Sequence, residues 1–208
     1  MSSSLPDWSE RRVWLFDLDG TLTVPVHDFM YARRELGIDP EQDILTALAE
    51  RSPSDRAAAE RWLRQWELDL AAESRLQDDA AELVAHLSEA GCRLGVLTRN
   101  TRDVAFRTLD AIGLRSVMHH DDAILGRDSA RPKPHPDGIL LLLQRLDAAP
   151  DQAVMVGDYL HDVRAGRAAG TATVLVCRHR ETGWDDEADL VVGSLWPLSA
   201  RLPAPDAT

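Results

Sequence analysis

The stretch Val13–Thr23, V-W-L-F-D-L-D-G-T-L-T, limits what this chain can fold into more than any other. Val13, Trp14, Leu15 and Phe16 form an apolar run without a polar face, and the run stops abruptly at Asp17, Leu18, Asp19, Gly20 and Thr21. Four bulky residues without alternation predict a central strand of a parallel sheet, buried on both faces. Each such side chain contributes roughly 1.5–3 kcal/mol on leaving water. Two carboxylates directly behind the strand do not serve stability, because unpaired charge at a sheet end is costly. Gly20 permits a tight turn or the close approach of a ligand.

The rest of the chain supplies partners for that strand. Apolar periodicity predicts a helix over 78–90, a strand over 93–97, and a helix from a Thr101 cap to about Ile112. A short strand at Val117–His119, a helix over 136–146, a strand over 153–156 and a helix over 162–169 follow. A strand at 173–176 and an edge strand at 189–192 complete the pattern. Strands alternating with helices at this spacing predict an α/β fold, a doubly wound, mostly parallel, Rossmann-like sheet with helices on both faces. Ligands bind such sheets beyond the carboxyl ends of the strands, where Asp17, Thr98 and Asp158 all fall.

Residues 24–76 break the alternation. A helix over 27–36 stops at Gly37, and Asp39 with Pro40 opens a second that runs to about Arg51. A third, over 54–74, puts Ala58, Trp62, Trp66 and Leu70 on one face. Three helices without a strand predict a small all-helical cap over 24–76, above a core formed by 1–23 and 77–208.

If the fold gathers Asp17, Asp19, Asp158 and Asp162, four negative charges need a cation or partial protonation. All-oxygen donors with room for water and a phosphate oxygen suit Mg²⁺. Lys133 is the only lysine among 23 basic residues, which suggests a site that needs a compact ammonium rather than a planar fork. It lies in R-P-K-P-H-P-D-G, where prolines on either side hold the segment extended. His135 in the same segment reads as structural.

With Leu97–Asn100, Arg131–Asp137 and Val156–Gly170 following D-L-D-G-T in order, the chain resembles the haloacid dehalogenase-like hydrolase superfamily. The likeness is to its phosphatases with a helical cap between the first two motifs, phosphoglycolate phosphatase-like members in particular. The resemblance implies that Asp17 is a nucleophile forming an aspartyl-phosphate, and that Asp19 is the general acid and base. It implies Mg²⁺ held by Asp17, Asp158 and the Asp19 carbonyl, with Asp162 a ligand or the holder of a metal-bound water. Thr98 and Lys133 would bind phosphate, with Arg99 beside them. Arg33 and Arg34, on the first cap helix, are candidates for meeting a second anionic group on the substrate.

The same resemblance sorts the rival activities. Dehalogenases lack the second aspartate, phosphonate-cleaving members need a cap lysine, and Thr21 tilts the chain from phosphomutase toward hydrolysis. A non-catalytic binding module predicts a missing carboxylate, and none is missing. A net charge of −12 argues against nucleic acid and anionic membranes. The longest apolar run, 139–143, is too short to span a bilayer. No secretory h-region is visible over Met1–Arg12, and Cys92 and Cys177 read as free thiols in a reducing cytoplasm. His119, His120, Asp121 and Asp122 read as a solvated loop, since consecutive residues rarely share an ion. The expected partner is a small-molecule phosphate ester such as phosphoglycolate or a sugar phosphate, acted on by a monomer or small homo-oligomer.

Overall fold

The computed structural model describes Trp8, residues 10–178 and residues 183–199. The ends of the expected core, residues 1–7 and 200–208, lie outside the described residues. Six strands form one sheet, and every pairing is parallel: β1 (Val13–Phe16), β2 (Arg93–Leu97), β3 (Ile124–Leu125), β4 (Ala153–Gly157), β5 (Ala172–Val176) and β6 (Leu190–Val192). The spatial order β3-β2-β1-β4-β5-β6 puts the first strand between β2 and β4. All four of its residues are buried, as an uninterrupted apolar run requires.

Alternate side chains of the strands face opposite layers of helix. Trp14, Phe16, Leu94, Val96, Val154, Val156, Val174 and Val176 share one cluster with α4 (Asp78–Glu89), α5 (Arg102–Ala111) and α8 (Trp196–Ser199). Val13, Leu15, Leu97 and Met155 share another with α6 (Asp137–Arg145) and α7 (Leu160–Ala169). The period of two along each strand therefore covers both faces, giving the expected doubly wound architecture.

Register decides where the strand ends fall. Phe16 is level with Val96 on one side and Val156 on the other. The residues that follow β1, β2 and β4 thus emerge together at one edge of the sheet. Val117–His119, expected as a strand, instead holds the end of a single 3₁₀ turn, Arg115–Val117. The edge strand is Ile124–Leu125, fully buried and paired with Val96 and Leu97. Both candidates are short apolar pieces, and only the second arrives level with the end of β2.

Between β1 and α4 lie three further helices, α1 (Phe29–Leu36), α2 (Ile44–Ala49) and α3 (Pro53–Ala71). They bury their own apolar cluster of Ala32, Leu36, Ile38, Ile44, Ala47, Leu48, Ala59 and Leu63. Two details differ from the sequence expectation. α2 starts at Ile44, because Asp43 is the N-cap and accepts from Thr46 N at 3.0 Å, while Asp39 accepts only from Glu41 N in a turn. The buried stripe of α3 is Ala59, Leu63, Glu67 and Ala71, one residue on from the expected face. Ala59 and Ala71 let the helix pack closely, and Trp62 and Trp66 lie half-buried beside it. Thr101 stands at the N-cap of α5, yet its hydroxyl donates to Asp103, and Asp128 accepts from Arg102 N instead. Cys92 is buried and Cys177 half-buried. Among the described residues no helix is long and apolar enough to cross a membrane.

Candidate active site

The first element of the site is the turn after β1. Asp17 continues the ladder, its N–H donating to Val156 O at 2.9 Å, before the chain reverses through Gly20 at φ +84°. A side chain there would be strained, and its Cβ would come within 2.5 Å of Asp158 Oδ2. Gly20 therefore lets the Asp158 carboxylate sit against the turn that carries Asp17 and Asp19.

Asp158 leaves the end of β4, and Asp162 lies in the first turn of α7. Carboxylate oxygens of Asp17, Asp158 and Asp162 all lie within 4.8 Å of one another. Lys133 faces them from the loop before α6, wholly buried. Its ammonium donates to Asp17 Oδ1 and Leu97 O, each at 2.6 Å, and lies 2.6 Å from Asp162 Oδ1. Burial would lower the pKa of this ammonium, but Asp162 and Asp17 outweigh it and hold Lys133 above the ordinary lysine value. Asp17 is displaced upward, first by burial and then, against the pull of Lys133, by the Asp162 charge. Among the described residues the Lys133 ammonium meets the carboxylates of Asp17 and Asp162, and Asp158 stands beside them as a third. An all-oxygen donor set of this charge fits a small divalent cation, and Asp17, Asp158 and Asp162 are the side chains placed to hold one.

Gly157 is the tight point of the arrangement. A Cβ on it would lie 2.2 Å from Asp162 Cγ and 2.3 Å from its Oδ2. Gly157→Ala is expected to expel the Asp162 carboxylate and to cost about 1–3 kcal/mol, the range for overpacking a filled site. Chemical denaturation measures this, and an unchanged midpoint would sink the packing argument.

Asp19 is half-buried and has partners of its own. Its Oδ2 accepts from Asn100 Nδ2 at 2.8 Å, and its Oδ1 lies 3.4 Å from His27 Nδ1. Burial, followed by the charge of Asp17, pushes its pKa up to about 7. A carboxyl that titrates near neutrality can give and take a proton within one cycle. Burial holds His27 below the ordinary histidine range, so this ring meets Asp19 uncharged at neutral pH. Thr98 is buried at the end of β2, where its hydroxyl accepts from Asn100 N at 3.1 Å.

The remaining expected residues are placed elsewhere. Arg99, expected at the phosphate, pairs with Asp43 at the N-terminus of α2 at 2.7 Å. His161 lies 3.9 Å from the same carboxylate, and burial followed by Arg99 pushes its pKa down to about 4. Arg33 spends its guanidinium on the carbonyls of Gln42 and Phe29, and Arg34 lies 6.0 Å over the Tyr31 ring. Both are thus tied within the helical insert.

Four residues escaped the sequence reading. Asn100 stood two places after Thr98 with no spacing to mark it, and His27 and Arg127 gave no signal. Glu67 was legible only once the α3 stripe is set one residue on. It is 3% exposed and receives Arg127 Nη1 at 2.8 Å, a buried ion pair that ties α3 to the loop after β3.

Known proteins share the family and the fold. A family model described as haloacid dehalogenase-like hydrolase matches residues 34–176. A haloacid dehalogenase-like hydrolase domain-containing protein of Arabidopsis thaliana is 33% identical over 196 residues, covering 88% of this chain and 76% of that protein. A phosphoglycolate phosphatase of Xanthomonas campestris is 29% identical, over 91% of this chain and 96% of that one. A hydrolase from Pseudomonas syringae shares the fold at TM-score 0.76 and 20% identity, over 93% of this chain and all (100%) of its own. The fold shared in this way is a Rossmann-like parallel α/β sheet, here with acids after its first and fourth strands. The chain belongs to the haloacid dehalogenase-like hydrolase family.

Proposed function

We propose that this hydrolase is a Mg²⁺-dependent phosphomonoesterase acting on a small phosphorylated metabolite through an aspartyl-phosphate on Asp17. The observation that carries the reading is the Lys133 ammonium, 2.6 Å from both Asp17 and Asp162, with Asp158 completing the cluster. Asp17, Asp158 and Asp162 would hold the metal, with the Asp19 carbonyl as a further donor. Mg²⁺ bound there supplies positive charge for the non-bridging oxygens of the phosphate.

The chain's own residues do the rest. Asp17 attacks phosphorus, and Asp19 protonates the departing ester oxygen as its bond to phosphorus breaks. In the second half, Asp19 takes a proton from water, which displaces Asp17 and releases inorganic phosphate. Lys133 keeps Asp17 ionised and aimed, and with the Thr98 hydroxyl it meets the phosphoryl oxygens. The helices over 24–76 act as a cap: Asp43 reaches Arg99 and His161, and Glu67 reaches Arg127, so the insert lies over the strand ends. A covered site favours small esters over phosphoproteins. The relative named phosphoglycolate phosphatase makes phosphoglycolate the first ester to try, with sugar phosphates beside it.

An aryl phosphate assay tests the reading. Turnover is expected with Mg²⁺, to fall more than about 10²-fold on chelation and to return when the metal is restored. Activity indifferent to chelation, or none on a panel of phosphate esters, would sink it. A stability measurement accompanies it. An acid whose folded pKa is raised favours the folded state when protonated, so the contribution of Asp19 to the stability of the metal-free protein is expected to fall as pH rises. For Asp19 that loss spans the window from about pH 4 to about 7, between its ordinary value of 3.8 and its folded one. Thermal melts of the wild type and Asp19→Asn across the window check the sign: the wild type is expected to lose ground to the variant as pH rises, and a wild type that gains on it contradicts the account.

A further inference from the structure

Asn100 is an exposed-looking polar residue in the sequence, yet it is only 5% exposed in the fold and spends its amide on a carboxylate. Its Nδ2 donates to one oxygen of Asp19, Oδ2, at 2.8 Å. The other, Oδ1, is buried and accepts no hydrogen bond, and His27 Nδ1 lies 3.4 Å from it. The two oxygens of the carboxyl are therefore not equivalent.

Asn100 is itself held from several sides. Its N–H donates to Thr98 Oγ1, and its carbonyl accepts from Arg127 N at 2.8 Å. Arg127 Nη1 donates to the carbonyl of the preceding residue, Arg99, at 2.8 Å, and to Glu67 Oε1 on α3 at 2.8 Å. One arginine thus grips both peptide carbonyls that orient the Asn100 side chain, and a buried carboxylate fixes the arginine. A charge-assisted pair spent on placing a neutral amide is costly to build for stability alone.

We propose that Asn100 is a positioning residue for Asp19, gripping Oδ2 so that the carboxyl keeps the orientation in which it exchanges the proton. The inference rests on the phosphatase reading above. In the first half-reaction the Asp19 carboxyl proton passes to the ester oxygen as the P–O bond to the leaving group breaks and the bond to Asp17 forms. In the second, the Asp19 carboxylate takes a proton from the water that attacks phosphorus and frees Asp17. Without Asn100 the carboxyl can rotate, and either oxygen can turn away from the reacting one.

Leaving groups separate this role from a structural one. An alkoxide needs a proton as it departs, while an activated aryl oxide leaves with little help. The test compares kcat/KM for an alkyl phosphate and an aryl phosphate, with Mg²⁺, in the wild type, Asn100→Ala, Asn100→Asp and Asp17→Asn. General acid catalysis contributes about 10²–10⁴-fold, and losing its aim is expected to lower the alkyl-to-aryl ratio about 30-fold in both Asn100 variants. Asn100→Asp fills the same space without a donor, so the ratio can be read there if the alanine variant does not fold. Equal losses on the two esters, or no loss, overturn the positioning role. A wild type that turns over neither ester, or an Asp17→Asn protein that keeps its activity, removes the phosphatase reading and this inference with it. Activity that needs Asp17 but shows an unchanged ratio removes only the role of Asn100.

Discussion

Asp17→Asn is expected to lower phosphate ester turnover at least about 10⁴-fold, a nucleophile's worth, while leaving the fold intact. In barrier terms that is about 5.5 kcal/mol. The amide keeps the shape of the side chain but cannot form the acyl phosphate. Stability should move the other way or hardly at all. Burial and the Asp162 charge both disfavour an ionised Asp17, so removing that charge relieves strain in the metal-free protein. Lys133 loses one partner but retains Asp162 Oδ1 and Leu97 O. The two measurements are a phosphate-release assay and a thermal melt of the metal-free protein at pH 7. Residual turnover above about 1% would exclude Asp17 as nucleophile, whereas a collapse in melting temperature would show that the acid is structural.

The second large effect belongs to Lys133→Met, which preserves the length and bulk of the side chain and removes its charge. Turnover is expected to fall about 10²–10³-fold, as when a preorganised donor to the developing charge is lost. Unlike Asp17→Asn, this change also destabilises the metal-free protein at neutral pH. It removes the ammonium from the buried Asp17 and Asp162, and losing one partner of a buried pair costs about 3–5 kcal/mol. Acidification should shrink that deficit, because the carboxyls then protonate. Mg²⁺ should raise the melting temperature more in the variant than in the wild type, since the ammonium no longer repels the metal. Lys133→Arg is not expected to rescue turnover, as a planar fork cannot place one point charge 2.6 Å from both carboxylates. A variant with near wild-type turnover, or with a smaller response to Mg²⁺, would contradict this account.

Much of this was legible before any coordinates. A strand buried on both faces has nowhere to put a polar residue, so β1, β2, β4 and β5 stood out as apolar runs. Asp17, Asp158, Asp162 and Lys133 stood out because nothing in a buried sheet end accounts for them except chemistry. The helical insert was harder to read for a physical reason. Trp62 and Trp66 are the largest apolar residues of α3, but close helix packing favours smaller ones, so Ala59, Leu63 and Ala71 turn inward. Two aspartates competed to cap α2, and Asp43 prevailed because a start at Ile44 buries Ile44, Ala47 and Leu48.

By itself the sequence determined the sheet, the acids at its carboxyl edge and the single ammonium among them, since burial and charge leave few other uses for such residues. Only the tertiary structure decided that Arg99 turns to Asp43 and that Glu67 lies buried against Arg127. It alone placed Asn100 and His27 on opposite oxygens of Asp19. Three of these pairings join residues 56, 60 and 81 positions apart, so no local pattern encodes them. A polar side chain far along the chain becomes a partner only when packing brings it there and removes the water that would otherwise satisfy it.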